Sequence, residues 1–228
     1  MKKVLILLIV LIIVILLTVG GFYGYSYFEK QKEAKFLSEN PQTKDAYALI
    51  VQREKEVKKD PTFYDGWMSL AFNWKGIGEV LKDEKYLWRS AKLYDEVIKR
   101  WGTKAYLPFL NQANVYIELE EYDKAENDLK IALEQDIGEQ NLYIALADLY
   151  RLYMNKSKED VMAVYEKGLV TVVSGGNLVN SYASYLNSVG EYEKALKYYK
   201  MLSQAYPNNT GYQNLIKELE IKVEPAKN

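Results

Sequence analysis

Paired carboxylates are the side chains of this sequence that could do chemistry. Three examples of adjacent acidic residues are Asp83-Glu84, Glu120-Glu121 and Glu159-Asp160. Two carboxyl groups can supply the acid and the base of a glycoside hydrolase, but nothing in the sequence marks one pair. The 228 residues include neither Cys nor His, which excludes thiol nucleophiles, Ser-His arrangements, disulfides and Cys/His metal sites. We therefore expect no catalytic residue, no cofactor and no metal; a carboxylate-dependent envelope hydrolase is the alternative from another class.

Composition excludes a further class of function. Lys and Arg number 30 against 31 Asp and Glu, so the formal net charge is −1 and no overall field attracts nucleic acid. Apolar residues make up 49% of the chain and charged residues 27%, which is enough to bury a core and is unlike a disordered chain. We expect a folded domain that binds no nucleic acid.

The first thirty residues predict a membrane anchor. The apolar run Val4–Val19, interrupted only by Thr18, passes into a stretch of Gly, Tyr and Phe residues. A helix over 4–28 would be about 37 Å long, against roughly 30 Å of hydrocarbon in a bilayer. We expect a transmembrane anchor, a polar tether and a folded domain, over 1–28, 29–40 and 41–228 respectively.

A cleaved signal peptide is the alternative to a retained anchor. The apolar run is longer than the 7–15 residues or so of a signal peptide, and no Ala-x-Ala site follows it. We therefore favour the anchor. Cleavage after Gly21 or Ser26 would instead release an exported soluble binding protein.

Two short patterns concern the arrangement of this anchor in the membrane. Lys2 and Lys3 precede the apolar run, as in an export signal, which favours a cytoplasmic N-terminus and an extracytoplasmic folded domain at a bacterial plasma membrane. Gly20 and Gly24 have the GxxxG spacing of close helix pairing. This spacing predicts a weak homodimer; the alternative, which we favour, is that the two glycines mark the end of the helix.

A period of about 35 residues runs through the rest of the chain. A small or β-branched residue precedes a large one by four positions in Ser90/Tyr94, Ala125/Leu129, Val161/Tyr165 and Ala195/Tyr199, at intervals of 35, 36 and 34 residues. Before each pair a large residue precedes Ala by four, in Trp67/Ala71, Phe109/Ala113, Tyr143/Ala147 and Val179/Ala183. Because residues four apart share one helix face, this period predicts an array of helix pairs that stack on one another.

The repeated segments resemble the tetratricopeptide repeat (TPR) family, whose pattern is W-x2-L-G-x2-Y, then A-x3-F, then P. The segments WMSLAFNW at 67–74 and YIALADLY at 143–150 are similar to its first helix, and AENDL at 125–129 is similar to its second. The segments EEYDKA at 120–125 and GEYEKA at 190–195 look like its inter-helix turn.

The resemblance implies an all-α fold, a superhelical array of antiparallel helix pairs behind the transmembrane helix. About four repeats would lie between Trp67 and Pro207, capped by helices over Pro41–Lys59 and from Thr210 to about Val223. The first repeat departs from the family, since Trp67 and Phe109 are 42 residues apart. About seven extra residues within 75–85 should lengthen a helix or a turn there.

The resemblance also implies a function in binding. In TPR proteins the first helices of the repeats line a concave surface that meets peptide or protein partners. Carried over by register, the candidate partner-binding residues are Phe72, Leu110, Asn114, Ile117, Ile144, Asp148, Arg151, Asn180 and Asn187. The lysine-rich carboxylate clamp of the chaperone-binding branch is not matched, because Leu110 and Ile144 occupy positions that would need basic residues. We expect a membrane-anchored scaffold or adaptor of a cell-envelope assembly, not an enzyme; ordinary helix surface is the alternative for each candidate residue.

Overall fold

The computed structural model of the protein describes residues 30–102, 105–173 and 175–224. Residues 30–39 are helical, and a 3-10 turn over Pro41–Thr43 leads into a series of α-helices. These are α1 (Lys44–Lys59), α2 (Tyr64–Leu81), α3 (Glu84–Trp101), α4 (Tyr106–Glu118), α5 (Tyr122–Gln135), α6 (Gln140–Leu152), α7 (Lys158–Thr171), α8 (Gly176–Ser188), α9 (Tyr192–Ala205) and α10 (Thr210–Val223). The three ranges contain no β-strand, so the expected all-α class is confirmed.

Helices α2 to α9 form four helix pairs, which we call units 1 to 4. The two helices of each unit are joined by a short turn and pack together, as α2 with α3 and α4 with α5. Helix α1 packs on α2 at one end of the array, and α10 packs on α9 at the other. The predicted four repeats with capping helices are therefore confirmed.

The small residues of the period are the points where neighbouring helices approach most closely. Ala71, Ala113, Ala147 and Ala183 of the first helices are all fully buried. In the second helices the buried small positions are followed four residues later by buried large ones: Tyr94, Leu129, Tyr165 and Tyr199. A stacked helix pair buries its apolar stripe only against its neighbour, which is why the core runs continuously through units 2, 3 and 4.

Side-chain caps set where several helices begin. Asp83 accepts a hydrogen bond from the backbone N–H of Lys85 at 3.0 Å at the start of α3. Ser157 and Asp160 form a reciprocal capping box at the start of α7. Such caps satisfy N–H groups that have no partner within the helix. Two of the three acidic pairs named above therefore contribute a helix cap.

The extra residues of unit 1 lengthen helices rather than a loop. Helix α2 has 18 residues, whereas α4, α6 and α8 have 13 each. It ends at Lys82, which adopts the left-handed conformation with φ of 53°. The added turn places Gly78 against Leu87 of α3, where a Cβ atom would lie 2.7 Å from Leu87 Cδ2.

The spacing between first helices varies along the array. Helix α2 contacts α4, and α6 contacts α8, whereas α4 and α6 make fewer close contacts than either of these pairs. Helix α5 packs on both α4 and α6. A cleft lies between the first helices of units 2 and 3.

The segment before the array is helical where the structure describes it. Phe36, in the region that we expected to be a tether, packs its ring 4.8 Å from that of Tyr47 and 5.9 Å from that of Tyr86. The chain just before α1 is thus docked on unit 1. The predicted anchor over 1–28, with Gly20 and Gly24, lies outside the described residues. In the part of the chain that is described, no helix combines the length and apolar character needed to cross a membrane.

Candidate partner-binding surface

The cleft between α4 and α6 collects four of the predicted partner-binding residues. Asn114 and Ile117 line it from α4, and Ile144 and Asp148 line it from α6. Its volume is about 420 Å³, and we call it the α4–α6 cleft. The residues that complete it are Lys75, Glu118, Asn141, Ala145, Leu149, Leu152 and Tyr153. Helical register brings these four candidates to one place.

Apolar side chains lie on the floor and at the rim of the α4–α6 cleft, beside polar lining residues such as Asn114 and Asn141. Ile117 and Ile144 are half-buried, and Leu149 is fully buried beneath them. Leu152 and Tyr153 form the rim at the end of α6 and keep 56% and 45% of their surface exposed. Exposed apolar side chains grouped beside a cleft are typical of interaction sites.

A second, polar pocket continues the same surface towards unit 4. Asp148 belongs to both sites, and Arg151 and Asn180 join it in this pocket of about 220 Å³. We call it the Asp148 pocket; its other lining residues are Tyr165, Ser181, Ser184, Tyr185 and Ser188. Three predicted residues, from α6 and α8, therefore meet here.

An ion pair organises the Asp148 pocket. The guanidinium of Arg151 donates a hydrogen bond from Nε to Oδ1 of Asp148 at 2.8 Å. The phenol of Tyr165 lies behind this pair, and burial, followed by the negative charge of Asp148, raises the pKa of Tyr165 to about 12.

Three predicted residues lie outside both sites. Phe72 of α2 is 65% exposed but lines neither the cleft nor the pocket, and Leu110 of α4 packs against the core. Asn187 of α8 accepts a hydrogen bond from Nζ of Lys222 at 3.5 Å, so the capping helix α10 reaches it. Contact with a neighbouring helix, the alternative open from the sequence, is what the structure gives for Leu110 and Asn187.

Sequence reasoning missed several lining residues that the same register could have found. Lys75 lies three residues after Phe72, Glu118 four residues after Asn114, and Asn141 three residues before Ile144. Each therefore shares a helix face with a predicted residue. Tyr153 carried no such signal, because it follows the end of α6 and reaches the cleft through the turn.

One residue of each of these three acidic pairs is engaged in a helix cap or an ion pair. Asp83 and Asp160 cap helices, and Glu121 lies 3.2 Å from Nζ of Lys124. Among the described residues, no three Asp or Glu side chains lie close enough together to hold a metal ion. None of the three pairs lines the α4–α6 cleft or the Asp148 pocket.

A third opening lies on the opposite side of α6. This α5–α7 cleft has a volume of about 540 Å³ and is lined mainly by Leu133, Leu146, Val164 and the rings of Tyr143 and Tyr150. The phenols of both tyrosines are already bonded, Tyr143 to the carbonyl of Ile137 at 3.0 Å and Tyr150 to Glu126 at 2.6 Å. This cleft is larger than the α4–α6 cleft, and no predicted binding residue lines it.

Comparison with known proteins identifies the fold. No protein-family profile matches the sequence, and no curated protein matches it. The C-terminal part of a TPR repeat-containing protein from Cytophaga hutchinsonii is similar in structure, with a TM-score of 0.62, 13% identity, and coverage of 86% of this chain and 72% of that chain. TTC0263, a thermophilic TPR protein of Thermus thermophilus, gives a TM-score of 0.53, 13% identity, and coverage of 84% and 98%.

A third similar structure is that of YrrB, described as a TPR protein with an unusual peptide-binding site. It gives a TM-score of 0.50 with 13% identity, and the match covers 75% of this chain and 84% of that chain. At these low sequence identities, the structural similarity shows the fold and no finer property. The period, the four stacked helix pairs and these structural neighbours agree, and the chain folds as a tetratricopeptide repeat array.

Proposed function

We propose that this protein is a membrane-anchored scaffold or adaptor that binds a protein or peptide partner through the face formed by its first helices. The observation that carries the proposal is that the α4–α6 cleft and the Asp148 pocket share Asp148 as a lining residue. Together they form a surface that is apolar at one end and polar at the other. A peptide partner needs both an apolar and a polar region, because its apolar side chains require apolar contacts and its backbone amides require hydrogen-bond partners.

The fold and its neighbours support binding as the activity. An array of stacked helix pairs presents an extended, preformed surface, so little conformational entropy is lost when a partner binds. YrrB has the same fold and a peptide-binding site, which is consistent with a peptide partner here. One carboxylate of each named acidic pair is used in a cap or an ion pair, and none of these pairs lines the proposed surface, so a hydrolase is the weaker proposal.

The cellular location belongs to the same proposal and rests on the sequence. The apolar run Val4–Val19 would anchor the chain in a bacterial plasma membrane, with the N-terminus in the cytoplasm and the array outside it, in a cell-envelope assembly. The mass of the mature chain separates the anchor from a signal peptide. Loss of the first 21 to 26 residues would replace the anchored scaffold by an exported soluble binding protein.

Affinity capture with matched variants tests the proposed surface. The full-length protein is compared with Asn114→Ala/Arg151→Ala, which alters the cleft and the pocket, and with Glu134→Ala/Lys167→Ala, which alters the α5–α7 cleft to a similar extent. We expect partners to be lost with the first variant and retained with the second. The same partners with both variants would refute binding through the first-helix face.

A further inference from the structure

The chemistry of the α4–α6 cleft narrows the class of partner, on the condition that the proposed function holds. Ile117, Ile144 and the exposed rim residues Leu152 and Tyr153 offer apolar contact area. A side chain that enters between α4 and α6 would remove these groups from water, at roughly 25 cal/mol for each Å² of apolar surface buried. The cleft therefore favours a partner that inserts an aliphatic side chain.

The charged side chains that line this cleft differ in whether they have an ion-pair partner. Lys75 pairs with Glu79, and Asp148 pairs with Arg151 at 2.8 Å. Glu118, at the C-terminal end of α4, makes no ion pair with any described residue and is exposed. Among the described residues, Glu118 is thus the charged side chain lining the cleft that has no ion-pair partner.

The turn that follows Glu118 adds negative charge on the same side. Glu120 and Asp123 make no ion pair among the described residues, whereas Glu121 holds Lys124 at 3.2 Å. Tyr153 connects this turn to the cleft, because its ring stacks on that of Tyr122 with centroids 5.4 Å apart. The surface beyond the rim is therefore acidic.

One lysine, Lys156, reduces the excess of negative charge around the rim but does not cancel it. Lys156 lies beside Glu120 and Asp123, and its Nζ is 5.5 Å from the centre of the Tyr150 ring. Counting Lys156 against the three unpaired carboxylates leaves a net negative charge around the rim. A partner with Lys or Arg next to its aliphatic residue would satisfy that charge, and an acidic partner would be repelled.

We propose that the α4–α6 cleft binds a basic aliphatic peptide segment. Its aliphatic side chain lies between Ile117 and Ile144, and a neighbouring Lys or Arg pairs with Glu118, while Glu120 and Asp123 attract the basic segment from further away. Because Glu118 is exposed, its contribution is screened by salt, so the preference for basic peptides should weaken as ionic strength rises.

Fluorescence anisotropy with the full-length protein in lipid nanodiscs tests this proposal. The probes are three pools of nine-residue peptides with a central Leu, Ile, Val or Met, flanked by Lys, by Gln or by Glu. We expect the Lys pool to bind about threefold to tenfold more tightly than the Gln pool, and the Glu pool more weakly than both. Glu118→Gln should reduce the Lys preference to below about twofold, whereas Glu134→Gln, in the α5–α7 cleft, should leave it unchanged.

The outcomes separate this proposal from the function on which it rests. Equal binding of the three pools, or a preference for Glu, would overturn the basic-partner proposal and leave peptide binding in place. A Lys preference that persists in Glu118→Gln would refute the role of Glu118 in the cleft. No binding by any pool, together with unchanged capture by Asn114→Ala/Arg151→Ala, would overturn both.

Discussion

Asp128 of α5 is buried near Asp95 of α3, whose carboxylate accepts a hydrogen bond from Gln112 of α4 at 2.6 Å. Burial, followed by the negative charge of Asp95, raises the pKa of Asp128 to about 7. Within the described structure, Oδ2 of Asp128 has no hydrogen-bond partner. These groups lie where unit 2 stacks on unit 1, so ionisation of Asp128 should weaken that stacking.

The contribution of Asp128 to stability should fall as pH rises from about 4 to about 7. In this range the folded chain keeps the proton on Asp128, whereas the unfolded chain loses it. Asp128→Asn should therefore raise the free energy of unfolding at pH 8 by about 2 kcal/mol and have a smaller effect at pH 5. Urea unfolding at the two pH values measures this, with the exposed substitution Asp123→Asn as the control. An equal effect of Asp128→Asn at both pH values would contradict it.

Gly168 and Gly76 should respond in opposite ways to substitution by Ala. A Cβ atom on Gly168 would lie 2.7 Å from Cγ of Tyr143, in the packed contact between α7 and α6. Around Gly76, in the middle of α2, the same atom would meet nothing within 4 Å. We expect Gly168→Ala to lower the free energy of unfolding by about 1–3 kcal/mol, and Gly76→Ala to raise it by about 0.5–1 kcal/mol. Denaturant unfolding measures both; a gain in stability from Gly168→Ala would show that α7 and α6 can move apart.

Phe36 should determine whether the segment before α1 stays docked. Its ring contacts Tyr47 and Tyr86, so Phe36→Ala removes two aromatic contacts and their buried area. We expect faster amide hydrogen exchange over 30–39 and a loss of about 1–3 kcal/mol in unfolding free energy, with exchange in α6 unchanged. Lys35→Ala, at an exposed position in the same segment, is the control. Unchanged exchange in Phe36→Ala would mean that other contacts hold the segment.

Ile117 and Asn187 should differ in their effect on partner binding although both were predicted as binding residues. Ile117 lines the α4–α6 cleft, whereas Asn187 is contacted by Lys222 from the capping helix. We expect Ile117→Asp to weaken binding of a captured partner by more than about tenfold, since a charge would stand on the apolar floor, and Asn187→Ala to change it by less than about twofold. Titration calorimetry measures both affinities, and circular dichroism checks that the helices are retained. Equal losses in the two variants would place the partner elsewhere on the first-helix face.

Much of the candidate site followed from register alone. Asn114 and Ile117 lie three residues apart on α4, and Ile144 and Asp148 four apart on α6, so each pair shares a helix face. That reasoning cannot separate a position that faces a partner from one that faces a neighbouring helix. It therefore placed Leu110 and Asn187 with the others, although the core and α10 contact them.

The sequence by itself determined the helix pairs and their order. Small residues such as Ala71 and large ones such as Tyr94 recur at the spacing of one helix face, and such a face can be buried only by stacking. Only the tertiary structure decided where a partner could enter. Helices α4 and α6 make fewer close contacts than α2 and α4, because the position of each helix pair depends on how its own side chains pack, as Gly168 of α7 does against Tyr143. The width of a cleft depends on many such packing contacts between residues that are distant in the sequence. The spacing of residues within one segment therefore does not predict it.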